Sequence, residues 1–225
     1  MDSILTPLQQ AVLQGVFAKG LGGLGFFLSG GSALAEFYLH HRDSDDLDLF
    51  TRTPQAIDAG VGILRAFCNE AGYDLDEDHG DTNFRCLFVS TAGHSSRLKV
   101  DLVHEWPPEI EPPKTYGDVR VDSLVDIAVN KVLCLYDRNE VKDFVDVYCL
   151  VPERFTLDSL LTLVPNKQGG FENIQFAAQL RHVEDLGYQF SRLRLRRPLE
   201  FTIIRDFFLA RSRELMDRFG QSLSS

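Results

Sequence analysis

Long apolar runs, closely spaced cysteines and internal repeats are all missing from this 225-residue chain. No stretch reaches the roughly 20 apolar residues that a bilayer-spanning helix needs, so no membrane segment is expected. Met1-Asp2-Ser3 opens without basic residues or a signal-like apolar core, which sets the expectation of a cytoplasmic protein. Cys68, Cys86, Cys134 and Cys149 lie far apart and show no metal-type spacing; reduced thiols in a core are expected. Low-complexity sequence is confined to the short serine-containing tail. Positive charge is scarce too, with 23 lysines and arginines against 33 acids and a net charge of −10. That balance argues against a surface coated for nucleic acid. The deficit is uneven, because from Lys167 onward 10 basic residues face 7 acidic ones. A basic C-terminal part beside an acidic one is compatible with an RNA or nucleotide substrate, and equally with an uneven surface of no such meaning.

What is present begins with hydrophobic content of 44%, enough for a sizeable core in one or two domains. The organising stretch is Phe26 to Phe50, FFLSGGSALAEFYLHHRDSDDLDLF, which reads as strand, glycine turn, helix, polar loop and strand. Gly30 and Gly31 allow a sharp turn and a close backbone approach to a ligand. Ser32 is suited to cap the following helix, and its hydroxyl could reach a phosphate. Backbone N–H groups at a helix start favour an anion. In Asp46-Leu47-Asp48-Leu49 alternate residues share a face, so both carboxylates point one way and both leucines into a core. Two carboxylates beside a glycine turn repel unless a cation lies between them. Mg²⁺ with nucleotide phosphates fits, since Mg²⁺ takes one or two carboxylates plus phosphate oxygens. Arg42 and Ser44 stand just before the aspartates; the arginine could pair with Asp46 or touch a phosphate. His40 and His41 close the helix, where their charge would suit its C-terminus.

Thr53-Pro54 is expected to open a second helix ending at Gly72. Acidic Tyr73–His79 suggests a strand edge, and Asn83–Ser90 and Leu98–Val103 suggest strands. Four prolines between Trp106 and Pro113 mark a break, taken as the connection to a helical part. Asp122 is expected to cap a helix carrying Lys131 on an otherwise apolar face. A lysine is seldom buried unpaired, so it either snorkels to solvent or meets a phosphate. In the next helix Asp143 and Asp146 can share a face, with Lys142 able to pair with Asp146. After Pro152 the chain is expected to be helical. Arg192, Arg194, Arg196 and Arg197 form either an RNA-facing run or a solvated one, and Pro198 opens the last helix.

Alone, Gly-Gly-Ser is a turn and Asp-Leu-Asp a solvated strand edge. In order, GGSALA…HRDSDDLDLF followed by Asn130-Lys131, Asp137-Arg138, Lys142-Asp143 and Asp146 resembles the AbiEii/MenT-type nucleotidyltransferase toxins, within the polymerase β-like nucleotidyltransferases. The resemblance spans roughly the first two-thirds of the chain. It implies an α/β (α+β) fold, with a small mixed sheet over residues 1–121 and a helical domain over 122–225 that completes the active site. It implies Mg²⁺-dependent nucleotide transfer from an NTP to a hydroxyl acceptor, with tRNA as acceptor and an antitoxin as partner. Asp46 and Asp48 would hold the metal. Asp101 would be either a third ligand or the general base. Gly30, Gly31, Ser32, Arg42, Ser44, Arg138, Lys142 and Asp143 would serve nucleotide binding. Lys131 and Asp146 map onto the lysine and last aspartate required in the family. An antibiotic-type small-molecule nucleotidyltransferase, or an inactive nucleotide-binding module, are the alternatives.

Overall fold

A computed structural model describes residues 3–91 and 97–220; the serine-containing tail beyond Gly220 lies outside them. The chain divides into two compact units, Met1–Leu124 and Val125–Ser225. No described helix is long and apolar enough to cross a membrane.

The first unit is a seven-stranded mixed sheet with helices, the α/β architecture expected. Helix α1 (Pro7–Ala18) starts with a reciprocal capping box: Thr6 Oγ1 accepts from the Gln9 N–H, and Gln9 Oε1 accepts from the Thr6 N–H. A 3₁₀ turn at Leu21–Leu24 leads into β1 (Phe26–Ser29). Helix α2 (Gly30–Leu34) follows without a connecting loop and runs on as a π turn, Ala35–Leu39, before His40 turns left-handed at φ 50°. Strand β2 (Leu47–Thr51), helix α3 (Ala56–Ala71) and strands β3 (Tyr73–Gly80), β4 (Phe84–Thr91) and β5 (Arg97–His104) complete the central part. A hairpin, β6 (Lys114–Tyr116) and β7 (Val119–Val121), closes the far edge. Strand order is β3-β4-β5-β2-β1-β7-β6; β2 runs antiparallel to β1 and parallel to β5, and β1 runs parallel to β7.

Direct register partners share a face, so the ladder assigns each side chain. Phe26, Leu28, Leu47, Leu49, Val100 and Leu102 are fully or almost fully buried. They face α3, where Gly60 packs against Leu102 and Phe26. The other face carries Ser29, Asp48, Asp101 and Cys86. Burial alternates along β2 as predicted: Leu47 and Leu49 are buried, and Asp48 is half-buried.

The second unit is helical: α4 (Leu124–Asp137), α5 (Val141–Arg154), α6 (Leu157–Leu163), α7 (Asn173–Gln179), α8 (Gly187–Phe190) and α9 (Phe201–Gly220), with 3₁₀ turns at Val164–Asn166 and Leu180–Asp185. Its core includes Phe144 of α5, edge-on to Phe208 of α9 with ring centroids 5.0 Å apart. Ser212 donates to the Ala177 carbonyl at 2.6 Å, tying α9 to α7.

Several local expectations need correction. Ser29, not Ser32, stands at the N-cap of α2. Thr53-Pro54 form a turn, and α3 starts at Ala56 behind Gln55 at φ 63°. Pro152 lies inside α5, in its last turn, and α9 begins at Phe201 rather than beside Pro198. The proline-rich connection also contains the β6–β7 hairpin: β6 is exposed throughout, and β7 alternates buried Val119, half-buried Arg120 and buried Val121 over only three residues, too few to announce a strand.

Candidate active site

In the first unit the acids stand on the sheet face opposite α3. Asp48 is the register partner of Ser29 on β1 and of Asp101 on β5, so three neighbouring strands place these side chains in one row. The row extends through Cys86, the partner of Asp101, to His79 on β3. At its other end the Ser29 hydroxyl donates to Asp122 Oδ2 at 2.8 Å, which takes this serine out of capping duty.

Gly30 packs against the Asp48 carboxylate. Its φ of +68° is left-handed, and a Cβ there would come within 2.1 Å of Asp48 Oδ2. Both conformation and space therefore require glycine, as the sequence suggested. A Cβ on Gly31 would meet Arg42 Nη2 at 2.8 Å and Ser44 Oγ at 2.9 Å. The glycine turn and the polar loop are thus in contact.

That loop is pinned from two sides. Gln9 Nε2 donates to the Ser44 carbonyl at 2.8 Å. Ser32 is fully buried and its hydroxyl donates to the Asp46 carbonyl. Instead of reaching outward, the Ser32 hydroxyl fixes the backbone that presents Asp46. Arg42 is buried and donates to the Asp43 carbonyl at 2.8 Å.

Lys99 escaped the sequence reading. It precedes Asp101 by two residues, hence on the same face, and donates to Asp101 Oδ2 at 2.5 Å. Burial opposes its charge, but the hydrogen bond and charge of Asp101, joined by the charge of Asp46, hold its pKa above the ordinary lysine value. Lys99 is thus the countercharge common to Asp46 and Asp101. Asp101 Oδ1 is buried and has no hydrogen-bond partner. Burial, then the charge and hydrogen bond of Asp101, push the Cys86 thiol above its usual value.

The carboxylates fit a hard cation. Their donor atoms are all oxygens, Asp101 Oδ1 is a buried acceptor without a hydrogen-bond partner, and the Gly30 backbone leaves room only for a hydrogen beside Asp48.

In the second unit a separate charged cluster forms between α4 and α5. Lys131 Nζ lies 2.8 Å from Asp143 Oδ1 and 2.7 Å from Asp146 Oδ2, with both carboxylates fully buried. Arg138 Nε reaches Asp143 Oδ2 at 2.9 Å. Burial alone would raise the Asp143 pKa, yet the Lys131 charge and the hydrogen bonds of Arg138 and Lys131 prevail and lower it. The anomalous lysine on an apolar face is therefore a buried, paired one. Lys142 does not join: it pairs with Glu140 at 2.9 Å, not with Asp146. A second buried pair in this unit, Lys167–Asp126 at 2.7 Å, had no motif to announce it.

The structure thus gathers Gly30, Gly31, Ser32, Arg42, Ser44, Asp46, Asp48 and Asp101 in the first unit. In the second it gathers Lys131, Arg138, Asp143 and Asp146. Gln9 and Lys99 were missed. An i, i+2 lysine–aspartate pair on a strand was the available signal for Lys99; Gln9 gave no signal beyond its cap.

Residues 11–203 match the family described as nucleotidyl transferase AbiEii toxin, Type IV TA system. The structure is similar to JHP933 from Helicobacter pylori, at 16% identity and a TM-score of 0.57 over 96% of each chain. A second Helicobacter pylori structure, described as a nucleotidyltransferase, gives 16% identity and a TM-score of 0.61 over 96% of this chain and 98% of that one. MenT4, a nucleotidyltransferase toxin from Mycobacterium tuberculosis, gives 14% identity and 0.50 over 86% and 68%. At these identities the likeness is one of fold. No match is found among curated proteins.

Proposed function

The chain belongs to the AbiEii nucleotidyltransferase toxin family, and from that premise we propose that Asp46, Asp48 and Asp101 form the seat for Mg²⁺ and an NTP, whose nucleotide passes to a hydroxyl of RNA. The observation that carries this is the Asp48–Asp101 register pair standing against Gly30. When bound, Mg²⁺ supplies charge neutralisation on the phosphates.

The chain's own residues do the positioning. Gly30 and Gly31 offer backbone N–H groups to the phosphates, and the absence of a Cβ lets Asp48 lie beside them. Ser32 and Gln9 hold the loop that carries Arg42, Ser44 and Asp46. Lys99 fixes Asp101 through Oδ2, which leaves Oδ1 to take a ligand bond or the proton of the attacking hydroxyl. Preorganised charge of this kind provides most of the rate in phosphoryl chemistry. Lys131, whose ammonium Asp143 and Asp146 hold, is assigned to the transfer reaction through the family resemblance. Arg138 steadies Asp143. Lys142 is assigned to the nucleotide only through the family resemblance.

The first acceptor to test is tRNA, and a cognate antitoxin is the proposed partner. The full chain should be incubated with each α-labelled NTP, Mg²⁺ and either total tRNA or an aminoglycoside. Label entering tRNA supports the proposal. Label entering the aminoglycoside instead would give the acceptor as a small molecule. Mg²⁺-dependent NTP binding with no turnover on either would overturn catalysis in favour of a binding module.

A further inference from the structure

Outside the carboxylate seat, a different donor set gathers at the outer part of the sheet. One ligand atom each from Asp78, His79 and Cys86 lies within 4.8 Å of the other two. The backbone explains why. Neighbouring residues of a regular strand point to opposite faces. Between Glu77 and His79 the β3–β4 register shifts: Glu77 pairs with Leu87 and His79 with Cys86, leaving Asp78 as the inserted residue. A bulge of this kind re-aims side chains. Here Asp78 and His79 come together, with His79 Nδ1 2.9 Å from Asp78 Oδ2, on the side where Cys86 stands.

We propose that Asp78, His79 and Cys86 form a binding site for a thiophilic divalent cation of the Zn²⁺ class, separate from the Mg²⁺ seat. The donors are one sulfur, one imidazole nitrogen and one carboxylate oxygen, a mixture that suits Zn²⁺ and not Mg²⁺. Zn–S and Zn–N bonds of about 2.3 and 2.0 Å place tetrahedral ligands roughly 3.5 Å apart. The ligand atoms, within 4.8 Å of one another, must therefore close by up to about 1.3 Å. The exposed partners can do so: the Asp78 and His79 side chains are 59% and 64% exposed, while Cys86 is a buried fixed point. Three protein ligands leave a fourth position for water or another ligand. On binding, the Cys86 proton leaves to solvent and a metal–sulfur bond forms.

Co²⁺ is the probe, because a thiolate ligand gives it a charge-transfer absorption band. Metal-free full chain should bind one equivalent of Co²⁺ with that band, lose it on adding Zn²⁺, and keep it in excess Mg²⁺. Cys86→Ser should abolish the band. His79→Gln and Asp78→Asn, both at exposed positions, should weaken Zn²⁺ by about tenfold or more in competition with a chromophoric chelator. Unchanged melting of these two variants separates lost ligation from lost folding. The proposal is overturned if the band survives in Cys86→Ser, or if both exposed variants bind Zn²⁺ as the unmodified chain does. None of these readouts requires nucleotide transfer.

Discussion

Asp48 on β2 and Asp101 on β5 face one another across a single step of a parallel ladder, although 53 positions separate them in the chain. Replacing either by asparagine keeps the shape and removes a charge. Asp48→Asn and Asp101→Asn are expected to fold and to lower label transfer by about a hundredfold or more. Activity in Asp101→Asn within a few-fold of the unmodified chain would remove Asp101 from the site.

Gly30 and Gly31 are adjacent but predict different outcomes. Gly30→Ala meets both a left-handed φ, costing about 1–2 kcal/mol for a residue with a Cβ, and Asp48 Oδ2 at 2.1 Å. Gly31→Ala meets only side-chain ends, Arg42 Nη2 and Ser44 Oγ. Thermal melts and transfer assays should show the first variant less stable and inactive, and the second milder in both. The reverse order would contradict the packing described.

Lys131→Met should destabilise the second unit by about 3–5 kcal/mol, since it leaves Asp143 and Asp146 buried without their shared cation. Asp143 has a lowered folded pKa. Its contribution is therefore complete above the unfolded carboxylate value of about 3.9 and is lost as pH falls through the lower folded value. In melts from neutral pH downward, the gap between the unmodified chain and Asp143→Asn should close in that acid range. A gap that stays constant through that acid range would deny the ion pair its role.

Lys99→Met removes the countercharge shared by Asp46 and Asp101. Apparent Mg²⁺ affinity in the transfer assay should rise, by up to about 1 kcal/mol or roughly fivefold for a partly exposed pair. A fall would show that the hold of Lys99 on Asp101 outweighs its competition with the cation.

Burial pushes the thiols of Cys68 and Cys134 up to about 11 each, with the Asp143 charge adding to the effect on Cys134. Below that pH they are protonated and poor nucleophiles. At pH 8 both should alkylate slowly in the folded chain and rapidly in denaturant, read by peptide mass spectrometry.

Alternation and composition, both local, determined much of this protein. The alternation in Leu47-Asp48-Leu49 set Asp48 on one face and both leucines in the core. The paired glycines announced a turn that only glycine can make, and the ordered motifs gave the family. A lysine in an apolar stripe stood out as anomalous, but nothing local named Asp143 and Asp146 as its partners. Tertiary structure alone decided what lies opposite what. The Asp48–Asp101 register, the Ser29–Asp122 bond, the Gln9 anchor and the bulge that turns Asp78 and His79 toward Cys86 join residues distant in sequence. Strand register follows from the packing of whole faces, which no short window of residues contains.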